Sequence, residues 1–116
     1  MSRVRFRIED MLSAISDIRS LLAGKQFDEM YDDRVLRAAF ARFLEIISEA
    51  SRHIPDDPNS LHPTIPWQNI ADTGNHLRHA YHRVDARLLW NVYENDSEPL
   101  SEALNDILSR LSGDRT

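Results

Sequence analysis

The sequence contains no cysteine, which excludes a disulfide scaffold, a zinc–thiolate site and a cysteine nucleophile. It contains no apolar run near the roughly 20 residues that a membrane-spanning helix needs. The basic N-terminal stretch meets Glu9 and Asp10 at once, where a secretory signal would require an apolar region. We therefore expect a cytoplasmic protein with no membrane contact.

Glycine and proline are scarce, with 3 and 5 residues, and their positions divide the chain. Gly24 closes the first segment, prolines between positions 55 and 66 predict a loop over about 54–66, and Pro99 interrupts the last segment. A chain of 116 residues suits one domain. We predict a single domain over 1–116 whose tail frays from about Ser112.

Acidic residues outnumber Lys and Arg by 19 to 14, so the net charge of −5 gives no overall attraction for nucleic acid. The basic residues are nevertheless distinctive, because 13 of the 14 are arginine. All 5 histidines lie between His53 and His82. If RNA binds, it must bind a local patch. The cluster Arg3, Arg5 and Arg7 is either solvated or a phosphate contact.

Apolar residues recur at helical spacing along the chain, and no stretch alternates with the period of a strand. We predict helices over about 4–23, from 28 or 32 to 53, over 67–81, over 84–93, and from Ser97 onward. In the first helix the apolar stripe is Ile8, Met11, Leu12, Ile15, Ile18 and Leu22. The predicted fold class is all-α, an antiparallel bundle of four to five helices.

The third helix carries a concentrated polar face. On one continuous helix over 70–84, a single arc of about 100° holds Asn75, Arg78, His79 and His82. The opposite side holds Ile70, Leu77 and Val84, which we expect to face the core. Tyr81 falls at the boundary of the polar arc and His76 on its other flank.

These residue types suit RNA cleavage without a metal. Histidine can move protons at neutral pH, and arginine can hold a phosphate through two hydrogen bonds. The alternative is an ordinary solvated helix face. A zinc site is a further alternative, because His76, His79 and His82 are spaced by three. It is disfavoured, since His76 and His82 point about 120° apart and no carboxylate has the metalloprotease spacing. We predict no metal and no cofactor.

The stretch Ile70-Ala-Asp-Thr-Gly-Asn-His-Leu-Arg-His-Ala-Tyr-His-Arg-Val-Asp85 resembles the signature of the HepT-like family in the HEPN superfamily. Leu89-Trp90-Asn91-Val92-Tyr93, Pro99-Leu100 and Ile8-Glu9-Asp10-Met11 also fit its pattern. The resemblance implies a dimeric helical ribonuclease toxin, with its composite active site near the two-fold axis. It also implies a nucleotidyltransferase antitoxin as partner.

The family motif has an arginine, a polar residue, a histidine and a tyrosine. The resemblance assigns His79 as the catalytic histidine, Asn75 as the polar residue and Tyr81 as the tyrosine that the antitoxin modifies with AMP. The motif arginine is missing, because its position is occupied by Gly74. Arg78, beside His79, is the candidate replacement.

We therefore predict a homodimeric, metal-independent endoribonuclease whose catalytic residues are His79, Arg78 and Asn75, with His76 and His82 in supporting roles. The alternative is a catalytically inert helical module that binds the nucleotidyltransferase partner and cuts nothing. A metal-dependent bundle enzyme is a third hypothesis, which would need a carboxylate brought close to the histidines by another helix.

Overall fold

The computed structural model describes residues 3–54, 62–77, 79 and 82–113, and within these ranges all regular structure is helical. The helices are α1 (Arg3–Leu22), α2 (Phe27–Asp32), α3 (Arg34–Ser51), α4 (Trp67–Ala71), α5 (Gly74–Leu77) and α6 (Arg83–Gly113). No strand occurs in the described part of the chain. The prediction of an all-α bundle is confirmed.

Helix α1 forms as its apolar spacing predicts. Ile8, Met11, Ile15 and Ile18 are buried against the rest of the bundle. The helix ends at Leu22, and Gly24 follows with a φ of +74°, a left-handed conformation that costs glycine least. The Lys25 amide donates to the Leu22 carbonyl at 2.9 Å, which closes the turn.

The predicted second helix is two helices. The chain is extended at Asp33, and the Asp33 carboxylate accepts hydrogen bonds from the amides of Val35 and Leu36. Such a cap begins a new helix, because it satisfies amides that lack a partner in the first turn. The expected start at Asp28 is therefore wrong, whereas the alternative start at Asp32 lies close to the observed start at Arg34, and α3 ends at Ser51, two residues before the predicted His53. Val35, an apolar residue of the predicted second helix, is 75% exposed.

The predicted third helix is also interrupted. Helix α4 ends at Ala71 and α5 begins at Gly74, with Asp72 and Thr73 in a turn between them. The Thr73 hydroxyl donates to the Ile70 carbonyl at 2.9 Å, which gives that carbonyl a side-chain partner at the end of α4. A single helical wheel over 70–84 therefore does not describe this stretch.

Helix α6 runs without a break through Pro99, so the predicted start of a helix at Ser97 is wrong. Proline inside a helix costs about 3 kcal/mol because it lacks an amide hydrogen and crowds the preceding turn. Burial on both sides of it opposes that cost. The buried residues of α6 are Ala86, Leu89, Trp90, Leu100, Ala103, Leu104 and Ile107. The helix continues to Gly113, beyond the predicted fraying at Ser112, and residues 114–116 lie outside the described part.

Helix α3 is the central element, since α1, α2, α4 and α5 all pack against it. Helix α6 closes the other side by packing against α1, α2 and α5. At 1.5 Å per residue, its 31 residues span roughly 46 Å, in agreement with the long dimension of 49 Å. No helix among the described residues is long and apolar enough to cross a membrane.

The predicted loop over about 54–66 is described only in part, because residues 55–61 lie outside the described ranges. Residues 62–66 are not helical. His62 Nε2 lies 2.8 Å from Asp106 Oδ2 on α6, and Trp67 Nε1 donates to the His62 carbonyl at 3.1 Å. These contacts attach the entry of α4 to α6 and thereby position the segment that carries the histidines.

Candidate active site

Three histidines lie along the chain from α5 to the start of α6, joined by tight turns. The His79 amide donates to the His76 carbonyl at 3.0 Å, and the His82 amide donates to the His79 carbonyl at 2.8 Å. Both bonds join residues three apart, so the continuous α-helix from which we predicted a divergence of about 120° between His76 and His82 does not run through this segment.

The rings of His79 and His82 lie close together. The centroids of the His79 and His82 rings lie 5.8 Å apart with the planes tilted by 51°, and both residues are exposed. The His82 carbonyl in turn accepts a hydrogen bond from the Ala86 amide at 2.9 Å, within the first turn of α6. The start of α6 therefore fixes the end of the histidine row.

His76 forms a pair with an acidic residue that sequence reasoning had not assigned to the site. Its Nδ1 lies 2.9 Å from Asp85 Oδ1, on the first turn of α6. A carboxylate is favoured at this end of a helix. When Nδ1 donates to the carboxylate, the tautomer is fixed and Nε2 is left as the reactive nitrogen. Asp85 thus orients an imidazole, as the third member of a catalytic triad does.

The other predicted site residues are placed less completely. Asn75 lies in α5, one residue before His76. Arg78 and Tyr81 lie outside the described residues, so the roles given to them stay predictions. Among the described residues, no group of three or more His, Asp or Glu side chains is arranged to hold a metal ion.

Val84 corrects the predicted orientation of the polar face. The helical wheel put it on the core side with Ile70 and Leu77, yet Val84 is 73% exposed, whereas Ile70 is buried. Leu77 is partly buried and packs against the core. The error arises because α6 begins at Arg83, so Val84 does not continue the face of α4 and α5.

A charged groove lies on the other side of α5. Arg52, near the end of α3, donates to the Ala71 carbonyl from Nε at 3.1 Å and from Nη2 at 2.8 Å. The Ser48 hydroxyl donates to the same carbonyl at 2.9 Å. These bonds join α3 to the C-terminus of α4. Sequence reasoning had not singled out Arg52, since 19 residues separate it from Ala71.

The electrostatics of this groove centre on Glu49. The pKa of its carboxyl group is lowered, first because His53 Nε2 donates to it at 3.2 Å, and also because Arg52 and Arg7 are nearby. Glu49 is therefore ionised at neutral pH and holds Arg52 Nη1 at 3.3 Å. Arg42 and Glu45, one turn back, form an exposed pair at 2.7 Å.

Comparison with known proteins agrees with the helical fold. The family model described as "Ribonuclease HepT-like" matches residues 11–107, most of the chain. The chain belongs to the HepT-like ribonuclease family. It is 40% identical over 89 residues to the "Probable ribonuclease HepT" of Thermococcus cleftensis, covering 77% of this chain and 81% of that protein.

Two further relatives carry RNase in their names. One, from Methanocaldococcus jannaschii, is 32% identical over 93 residues, which cover 80% of this chain and 85% of the relative. The other, from Caldanaerobacter subterraneus, is 30% identical over 110 residues, which cover 95% and 98%. No solved structure matches the chain at a significant level. The similarity thus extends along most of the chain, and the matched range of the family model spans the segment that carries the histidines.

Proposed function

We propose that this HepT-like chain is the toxin of a toxin–antitoxin pair and that it cleaves RNA without a metal ion. The observation that carries the proposal is the histidine row of a ribonuclease-family protein, in which His79 follows the oriented His76–Asp85 pair by one tight turn. Cleavage within an RNA strand needs a proton acceptor and a proton donor on either side of one phosphate. His79 and His76, joined by one tight turn, are the residues that we assign to these two roles.

His79 acts as the base in this mechanism. It takes the proton from a ribose 2′-hydroxyl, and the 2′-oxygen attacks the adjacent phosphorus. The bond from phosphorus to the 5′-oxygen breaks, and His76 donates a proton to that leaving oxygen. The products are a 2′,3′-cyclic phosphate and a 5′-hydroxyl, so atoms and charge balance. Asp85 holds the His76 ring while the proton is transferred.

Arg78 and Asn75 complete the proposed site, and His82 supports it by its contact with the His79 ring. A guanidinium beside the reacting phosphate stabilises the charge that develops in the transition state. The Asn75 amide orients either the base or the phosphate. Since neighbouring positions in the chain supply these groups, one short segment carries the proposed chemistry.

We further propose that two copies of the chain form a homodimer next to this segment. Val84 and Leu88 are 73% and 43% exposed and lie one turn apart at the start of α6. Two large apolar side chains on one helical face are typical of a surface that becomes covered. A symmetric interface there would bring both histidine rows close to the two-fold axis. Light scattering at micromolar concentration should therefore give the mass of a dimer.

The proposed antitoxin is a nucleotidyltransferase that transfers AMP to Tyr81. Tyr81 lies between His79 and His82 in sequence, so the added adenosine and phosphate would stand beside the histidine row and obstruct RNA by bulk and charge. Intact-mass analysis after incubation with the partner and ATP should show one AMP adduct. Tyr81→Phe should show none, and an adduct on another residue would contradict the assignment.

The ribonuclease itself is tested with the purified chain, an RNA oligonucleotide and chelator. His79→Ala should lower the rate by ~10²–10⁴-fold, as removal of a general base typically does. Arg19→Ala is the control, because Arg19 pairs with Glu98 away from the histidine row. Arg78→Lys keeps the charge and loses the planar fork, so it should also be impaired. Equal rates for His79→Ala and wild type would show that the site is wrong.

A catalytically inert module is the second candidate, and Gly74 in place of the motif arginine is the observation that favours it. This hypothesis predicts no cleavage by the wild-type dimer, with normal binding of the antitoxin by every variant. Expression with and without the partner, scored for growth and RNA integrity, separates the two. Growth arrest that disappears with His79→Ala supports the toxin.

A further inference from the structure

Gly74 is explained by space and not by backbone conformation. Among the described glycines, only Gly24 has a positive φ, so the conformation of Gly74 is open to other residues. A Cβ atom at position 74 would instead lie 3.1 Å from Arg52 Nη2, closer than an ordinary contact. The absence of a side chain therefore lets the Arg52 guanidinium approach α5, where the side chain of another residue would crowd it.

The guanidinium borders a groove of about 460 Å³ between α3 and α5. This volume is within the range of small-molecule sites and is large enough for a nucleotide. Gly74 and Leu77 line it from α5, and the opposite wall carries two arginines, Arg42 and Arg52, each paired with a glutamate, Glu45 and Glu49. His76 is turned the other way, towards Asp85 on α6. The groove and the histidine row thus flank the same short helix.

We propose that Arg52 binds a phosphodiester of the RNA strand in this groove and supplies the arginine contact that Gly74 cannot make. The inference rests on the proposed function for its substrate. It assigns to α3 a binding residue that the motif around His79 does not contain. A strand held at Arg52 would pass along α5 to reach the histidine row.

The hydrogen bonds of Arg52 make it suitable for this role. Nε and Nη2 are held by the Ala71 carbonyl, and the Ser48 hydroxyl lies 3.5 Å from Nη2. The plane of the guanidinium is therefore fixed before any ligand arrives, which reduces the cost of ordering it on binding. Nη1, which is bonded to Glu49 at the longer distance of 3.3 Å, is the group that a phosphate would engage.

Glu49 competes with a phosphate for Arg52 Nη1. Its side chain is 56% exposed and also bonds His53, so it can release Arg52 and keep a partner. A phosphate that takes its place gains a bond to a fixed cation but meets the negative charge of Glu49 nearby. Removing this charge while keeping the shape of the side chain should therefore tighten RNA binding. This gives Glu49→Gln the opposite expected sign to Arg52→Ala.

The test measures binding apart from cleavage. The probe is a labelled RNA oligonucleotide with 2′-O-methyl groups, which has no free 2′-hydroxyl to attack phosphorus, and fluorescence anisotropy is recorded over a range of salt. Arg52→Ala should weaken binding by roughly 10- to 100-fold, the usual loss for a hydrogen bond to a charged group. The slope of log affinity against log salt should fall by about 0.7, the value for one contact to a single strand. Glu49→Gln should bind more tightly than wild type.

A double variant distinguishes an RNA-binding role of Arg52 from a purely structural role. Arg52→Ala removes the side chain that crowds position 74, so adding Gly74→Arg places a guanidinium in the same groove from α5. This double variant should recover most of the lost affinity and salt dependence, although it cannot restore the bonds to the Ala71 carbonyl. Arg19→Ala is the control, because Arg19 is an exposed arginine paired with Glu98 on another face. It should change neither quantity.

The outcomes are distinct. If Arg52→Ala lowers only the melting temperature, or if the double variant recovers no affinity, Arg52 is a structural brace and the proposal is wrong. If the wild type binds the probe through Arg52 but cuts no unmodified RNA, the proposed ribonuclease fails and the binding site stands. If cleavage depends on His79 while Arg52→Ala changes neither cleavage nor binding, the proposed ribonuclease stands and the binding site at Arg52 is wrong. If the wild type neither binds nor cuts, both are overturned.

Discussion

Replacing Asp85 by Asn tests whether the His76–Asp85 pair takes part in catalysis. Asparagine has nearly the same shape, and its side-chain oxygen can still accept a hydrogen bond from His76 Nδ1 at the observed 2.9 Å. The substitution therefore keeps the geometry and removes the negative charge. As the proton donor, His76 must begin as a positively charged imidazolium, and the carboxylate stabilises this form whereas the amide does not.

The magnitude follows from the exposure of the pair. The His76 side chain is 43% exposed and that of Asp85 is 25% exposed, so water screens their attraction. An interaction of about 1 kcal/mol is the value to expect for a partly exposed pair with good geometry. In rate, this corresponds to roughly a fivefold fall in kcat. In stability, it corresponds to a fall in Tm of about 4 °C for a domain of this size.

The assay compares Asp85→Asn, His76→Ala and His79→Ala under single-turnover conditions, with Tm measured for each. His76→Ala should lose ~10²–10⁴-fold in rate because the proton donor itself is gone. Adding Asp85→Asn to His76→Ala should cost little more, since the carboxylate acts through the imidazole. If Asp85→Asn slows His76→Ala as much as it slows wild type, or if His76→Ala cleaves normally, the pair has only a structural role.

Three further predictions concern stability. Burial beside an apolar cavity raises the pKa of Asp96, so ionisation of its carboxyl group destabilises the fold as pH rises through that pKa. Asp96→Asn should therefore raise Tm at pH 7 and have little effect at pH 3. A lower Tm at pH 7 would contradict this prediction. Hydrogen bonds from Arg110 and His62 lower the pKa of Asp106, so the ionised carboxylate stabilises the fold at neutral pH and this stabilisation is lost as pH falls through the lowered pKa. Chemical denaturation should therefore show the difference in unfolding free energy between wild type and Asp106→Asn shrinking in acid. Leu104→Ala, at a side chain with no exposure, should cost about 2–5 kcal/mol of unfolding free energy, whereas Val35→Ala, at a side chain that is 75% exposed, should cost far less.

The sequence predicts the helical class well, because burial follows apolar spacing. Helix α1 buries the positions its stripe indicates, and Gly24 ends it through a left-handed turn. The errors fall where a local effect opposes the spacing. The apolar pattern continues across Asp33 although its side chain caps a new helix, and proline at position 99 indicates a break although burial on both sides keeps α6 whole. Spacing alone does not weigh these effects against each other.

The sequence indicates candidate residues for the site but not the contacts they make. His76, His79 and His82 are visible in the sequence, whereas the backbone bonds that join them three residues apart are not. Asp85 could have been found, because an acid in the first turn of a helix directly after a tight turn is well placed to meet the preceding segment. Arg52 gives no such signal, since its contact with α4 exists only after α3 and α4 have packed.

Asp85 and Arg52, the two site residues that sequence reasoning missed, lie on opposite sides of α5. Asp85 connects α6 to this four-residue helix through its contact with His76. Arg52, directly after α3, binds the Ala71 carbonyl, which lies before α5 in the chain. Isolated helices this short are not stable in water, so tertiary contacts must hold α5 in place. The same contacts therefore set the angle at which the histidine row leaves α5. A substitution at either position should alter the row even where the substituted residue never touches RNA, which is why variants that keep shape and change charge are the informative ones.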